Sequence, residues 1–112
     1  MTDAEITRVI AEKVMGWTDP EYYEQWDGTT DYALWDSGVR AAKVPFFPLA
    51  RDHDCMAAWD KFSKMGSVCL TTDTSPAGDF IWEAICNDGH VAHVDRRRAM
   101  CECMAKAMED TQ

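Results

Sequence analysis

The sequence predicts an α+β fold in which a small antiparallel sheet carries helices on both faces, an α/β/α sandwich. Three observations predict it. Apolar residues recur at helical spacing near the start, in the middle and at the end of the chain. Two alternating runs separated by a short loop lie between the second and third of these stretches. The second run is apolar on both faces, and such a strand is normally covered on both sides. At 112 residues the chain fits one domain spanning 1–112.

Taken in order, Thr2-Asp3-Ala4-Glu5 forms a capping box, and Ile6, Val9, Ile10 and Val14 follow at helical spacing up to the stop at Gly16. A first helix over residues 3–15 follows. Residues 17–50 are punctuated by Pro20, Gly28, Gly38, Pro45 and Pro48, which predicts an irregular segment with one short strand near Tyr32–Trp35. A second helix, capped by Asp52, is expected to run to Met65. Cys55, Trp59 and Phe62 define its apolar side, broadened by Met56 and Met65. Residues 67–72 and 79–86 alternate as a hairpin around Ser75-Pro76, with Phe80, Trp82 and Ala84 facing one way and Ile81 and Ile85 the other. Asn87-Asp88-Gly89 turns the chain into a short third strand at His90–Val94. Asp95 caps a last helix whose stripe is Met100, Cys103, Met104, Ala107 and Met108. The expected order is helix, irregular segment, helix, strand, strand, helix.

Charge narrows the function classes. The net charge is −9, from 20 acidic and 11 basic side chains. Nucleic-acid affinity comes largely from neutralised phosphates, so direct nucleic-acid binding is not expected. The same field favours encounters with basic proteins and also keeps the chain soluble. No apolar run suggests a membrane span. The acidic start Met1-Thr2-Asp3-Ala4-Glu5 is unlike a secretory leader, and the odd set of Cys55, Cys69, Cys86, Cys101 and Cys103 reads as reduced thiols used as small hydrophobes. Both point to the cytoplasm.

Metal and catalytic motifs are weak. Cys101 and Cys103 lie about 200° apart around a helix, so they do not chelate one ion together, and His53, His90 and His93 add no paired zinc spacing. No metal or cofactor is expected. Nucleophile elbows, Gly-rich phosphate loops and zincin motifs do not occur, and no nucleophile, base and orienting group converge, so an enzyme is not expected. Arg96-Arg97-Arg98 opens a helix, where it offers an anion site; the plainer reading pairs these arginines with neighbouring carboxylates.

The segment Trp17–Asp36 carries six acidic residues, six aromatic ones and no Lys or Arg. Aromatics anchor interfaces and clustered carboxylates suit a basic partner, which makes Glu21, Tyr22, Tyr23, Glu24, Trp26, Asp27, Asp31 and Trp35 the candidate partner-binding residues. The plainer reading puts the aromatics against the core and the carboxylates in water.

The stretch Ile10-Ala11-Glu12-Lys13-Val14-Met15-Gly16-Trp17 resembles the opening signature of the phage ABA sandwich domain, a family of small bacteriophage proteins. Asp54–Met65, with Ala57-Ala58-Trp59, resembles that family's second helix, and the Ala-, Cys- and Met-rich segment after Asp95 its third. The resemblance implies a layered fold and a phage origin, and no activity, cofactor or catalytic residue. It leaves residues 18–50 and Arg96–Arg98 unmatched. The leading expectation is a non-enzymatic phage protein that binds a basic or nucleic-acid-binding host protein in the bacterial cytoplasm, such as a complex of nucleic-acid-guided antiviral defence, in the manner of an anti-CRISPR protein. Two rivals stand beside it: a binder that sequesters an anionic nucleotide through Arg96–Arg98, and a structural or regulatory accessory acting as a homo-oligomer.

Overall fold

The computed structural model describes residues 2–24, 31–38, 42–87 and 89–109. The fold is α+β, built from three α-helices and two three-stranded antiparallel sheets. The capping box forms as expected. Thr2 Oγ1 accepts from the Glu5 amide at 3.2 Å, and Glu5 Oε2 accepts from the Thr2 amide at 3.0 Å. They start α1 (Asp3–Val9), which continues as a π-helical turn at Ile10–Val14. The wider winding brings Ile10, Ala11 and Val14 into the core with Ile6. Gly16, at φ +72°, then reverses the chain.

Residues 17–50 are more regular than the sequence predicts. They supply β1 (Thr18–Glu24), β2 (Asp31–Asp36) and β3 (Val44–Pro45), in sheet order β1-β2-β3. The strand expected near Tyr32–Trp35 is β2, and it has a partner on each side. The prolines misled because β1 and β3 are edge strands, where a missing N–H can be tolerated. Pro20 falls where the β1–β2 register shifts, between Thr18 and Glu21, and Pro45 ends the pairing with Leu34.

The second helix, α2 (Asp52–Ser63), ends before Met65, and its N-cap is Arg51, with no side-chain cap bond. Asp52 therefore lies inside the first turn, where the helix dipole favours a carboxylate. Cys55, Ala58 and Phe62 are buried, but Met56 and Met65 face solvent and do not extend the apolar stripe. A hairpin follows as expected, formed by β4 (Val68–Thr74) and β5 (Phe80–Cys86), with β6 (Gly89–His93) paired on the far side of β5. Asn87 joins the two ends of this sheet: its Oδ1 accepts from the Ser67 amide at 3.0 Å, and its own amide donates to Ser67 O at 2.8 Å. Asn87 has φ +55°, a left-handed conformation that Asn tolerates better than most residues.

Asp95 caps α3 (Arg96–Glu109), its Oδ1 accepting from the Arg97 amide at 3.0 Å. This helix sits between layers. One side packs on β5 and β6, and others meet α1, the π turn and α2. Ala99, Met100, Cys101, Cys103, Met104, Ala105 and Ala107 are all buried. Among the described residues the helices pack on the Ala84–Cys86 face of the β4–β5–β6 sheet. Ala84 and Cys86 are buried on the α3 face, whereas Cys69, Thr71, Ile85, His90 and Ala92 of the opposite face are exposed. The first sheet joins the same core through Trp35 and Phe46.

Phe62→Ala costs about 3–5 kcal/mol in denaturant unfolding, as a buried ring gives way to a cavity. By contrast, Phe80→Ala stays within about 0.5 kcal/mol because that ring is 57% exposed. A Cβ at Gly66 falls 2.4 Å from Asn87 Oδ1. Gly66→Ala therefore expels that side chain and costs about 1 kcal/mol, the worth of one hydrogen bond. In an Asn87→Gly background the same substitution becomes nearly neutral, and unfolding of the four proteins of this cycle measures it.

Candidate functional site

The acidic-aromatic segment is built on the β1–β2 pair. Backbone pairing sets Glu21 opposite Leu34, Tyr22 opposite Ala33, Tyr23 opposite Tyr32 and Glu24 opposite Asp31. Tyr22, Tyr23, Glu24 and Asp31 are placed by this ladder alone, and Trp26 and Asp27 lie outside the described residues. Glu21 is exposed, and Lys43 reaches it across β2 at 2.9 Å, which offsets one of the segment's charges. Trp35 requires a correction. It was expected at the binding surface, yet it is 1% exposed and belongs to the core. Its neighbours on the backbone are strand residues, and a Trp in a strand whose one face meets a core contributes its large apolar area there. Trp17 is likewise half-buried, edge-on to Phe46 at 5.1 Å between ring centroids.

The arginine turn follows its plainer reading. Asp52 Oδ1 pairs with Arg96 and, at 3.5 Å, with Arg97; Arg98 bonds Asp3 at 2.8 Å and Glu102 at 3.0 Å. Asp3 and Glu102 hold the Arg98 guanidinium above its ordinary pKa, first through the Asp3 hydrogen bond. Each arginine expected to meet an anionic ligand already has a carboxylate. These pairs tie the start of α3 to α1 and α2.

An aromatic platform was not foreseen. Phe80 and Trp82 lie on one face of β5 as an edge-to-face pair, 5.6 Å between centroids, and the Arg96 guanidinium lies 6.0 Å from the Trp82 ring centre. Sequence alternation put both rings on one face with Ala84, and they do share that face. Their depth differs from that of Ala84, because α3 covers Ala84 and Cys86 while the distal half of the hairpin runs past it. The nearness of Phe80 to the Ser75–Asp79 turn was the available signal.

Four of the five cysteines are buried and one, Cys69, is exposed. Cys103 Sγ donates to the carbonyls of Ala84 at 3.2 Å and Gly89 at 3.5 Å, fastening α3 to the sheet. Its hydrogen bond with Cys86, together with burial, pushes the Cys86 thiol above its ordinary range. Cys101 Sγ donates to Cys55 Sγ at 4.0 Å, and Cys55 Sγ to Met100 Sδ at 3.8 Å. The Cys55 bond and burial likewise push the Cys101 thiol up.

No family model, curated protein or solved structure matches this chain. Among the described residues no helix is long and apolar enough to cross a membrane.

The burial of the thiols carries a direct prediction. An excess of maleimide reagent labels Cys69 rapidly in the native protein, and the other four cysteines only after denaturation. Mass spectrometry of the labelled chain counts the adducts, and rapid labelling at Cys55, Cys86, Cys101 or Cys103 contradicts the packing described.

Proposed function

We infer that this protein acts by binding, with the acidic-aromatic segment docking on a basic surface of a partner protein. The observation that carries this reading is the segment itself: six acids and six aromatics within Trp17–Asp36, without a single cation, in a chain of net charge −9. Its placement supports the reading. Among the described residues β1 is an edge strand of its sheet, and β2 anchors it to the core through Trp35. With Trp35 internal and Glu21 shared with Lys43, docking falls to Tyr22, Tyr23, Glu24, Trp26, Asp27 and Asp31. Rim carboxylates of this kind govern association rate and partner choice more than final affinity.

The resemblance at Ile10–Trp17 to phage ABA sandwich proteins directs the search for that partner. In an infected bacterium, the nucleic-acid-guided defence complexes present the basic channels such a surface suits, and occluding one is the inhibitory mode proposed. Sequestration of a nucleotide by Arg96–Arg98 is less favoured, since Asp52, Asp3 and Glu102 already engage those side chains.

The test is capture of a partner from host lysate on immobilised protein, followed by binding kinetics with that purified partner. Reversal of Glu24 and Asp27 to Lys is expected to slow association by about tenfold or more and to flatten its salt dependence. Unchanged kinetics in the reversed variant reject the docking surface.

A further inference from the structure

The two buried thiol pairs differ in their partners. Cys103 spends its S–H on backbone carbonyls, a structural use. Cys55 bonds both Met100 and Cys101: the only hydrogen-bond partners found for these three side chains among the described residues are sulfur atoms. Two helices bring them together, Cys55 from the first turn of α2 and Met100 and Cys101 as successive residues of α3. All three are fully buried.

Three sulfur ligands in a plane around one metal ion, at the usual metal–thiolate length of about 2.3 Å, lie about 4.0 Å from each other. Both edges that meet at Cys55 have this length, 3.8 Å to Met100 and 4.0 Å to Cys101. We propose that Cys55, Met100 and Cys101 form a binding site for a soft monovalent cation of the copper(I) and silver(I) class. Ligand type selects the ion. Two thiolates and a thioether buried in the core suit a soft cation that accepts three ligands, whereas zinc takes four and calcium or magnesium takes oxygen. Nearby His53 is exposed and Asp54 Oδ2 accepts from the Phe47 amide, so neither completes a tetrahedral set.

Binding balances without redox chemistry. Two S–H bonds break and two metal–sulfur bonds form, Met100 donates a lone pair, and two protons leave to solvent. The bound group carries one net negative charge; Arg96 and Arg97 favour a thiolate at Cys55 and Arg97 favours one at Cys101, while Asp52 opposes the first and Asp95 the second. Arg97 Nε, on the guanidinium whose Nη1 pairs with Asp52, is buried and has no hydrogen-bond partner among the described residues. Cys55 also sits where the N-terminal dipole of α2 stabilises a thiolate.

The experiment is anaerobic titration of the reduced, full-length protein with copper(I) against a chromophoric copper(I) chelator, with silver(I) in parallel by native mass spectrometry. The expected result is one ion per folded chain, two protons released, and a near-ultraviolet thiolate-to-copper absorption. Cys55→Ser and Cys101→Ser each weaken uptake by at least about 100-fold, and Met100→Leu weakens it by about tenfold. Met100→Leu conserves volume and is the variant expected to keep the fold intact, while Cys69→Ser and Cys103→Ala leave uptake unchanged. Failure of the folded protein to compete with the chelator overturns the proposal. So does uptake that survives Cys55→Ser or Met100→Leu unchanged, or that disappears with Cys69→Ser or Cys103→Ala.

Discussion

The structure depends on the burial of α3 on nearly every side. A helix between a sheet and three other helical segments must present small or pliable side chains in several directions, and Ala99, Met100, Cys101, Cys103, Met104, Ala105 and Ala107 do so. Ala lets backbones approach closely, and Met and Cys fill irregular gaps. One polar strip remains, formed by Arg98, Glu102 and Lys106, and it is aligned with Asp3 of α1 through Arg98. Both the apolar contacts and the ion pairs of α3 therefore converge on one element.

This arrangement explains why the chemistry-bearing residues separate into different regions. Side chains near α3 are committed to holding layers together: the arginines to carboxylates, Cys103 to the sheet, Trp35 and Phe46 to the shared core. Exposed aromatic surface lies away from α3, at the distal end of the β4–β5 hairpin around Phe80. The sulfur cluster is the exception, an interior group in which Cys55 bonds both Met100 and Cys101 at the α2–α3 contact. Its proposed ion and the proposed docking of the acidic segment are independent, since they use different residues on different elements.

Helices and the second sheet were readable because their signals are local. The Thr2–Glu5 capping box, the Gly16 stop and the Asp95 cap act within one turn, and the alternation of residues 68–72 and 80–86 reports a strand directly. The first sheet was hidden because prolines at strand edges look like breaks until the pairing is known. Within α3 the buried Ala99, Cys101 and Ala105 were missed, since small residues beside charged ones carry little weight in a periodicity argument.

Sequence alone determined the order of the helices and the hairpin, the Thr2 and Asp95 caps, and the unusual composition of Trp17–Asp36. Tertiary structure decided depth and layering. It placed Trp35 inside and Phe80 outside, packed the helices on the Ala84–Cys86 face of the second sheet, gave Arg96–Arg98 their carboxylates, and gathered Cys55, Met100 and Cys101. Each of those outcomes turns on which distant segment covers a residue, and a local pattern reports the direction a side chain points without saying what arrives to meet it.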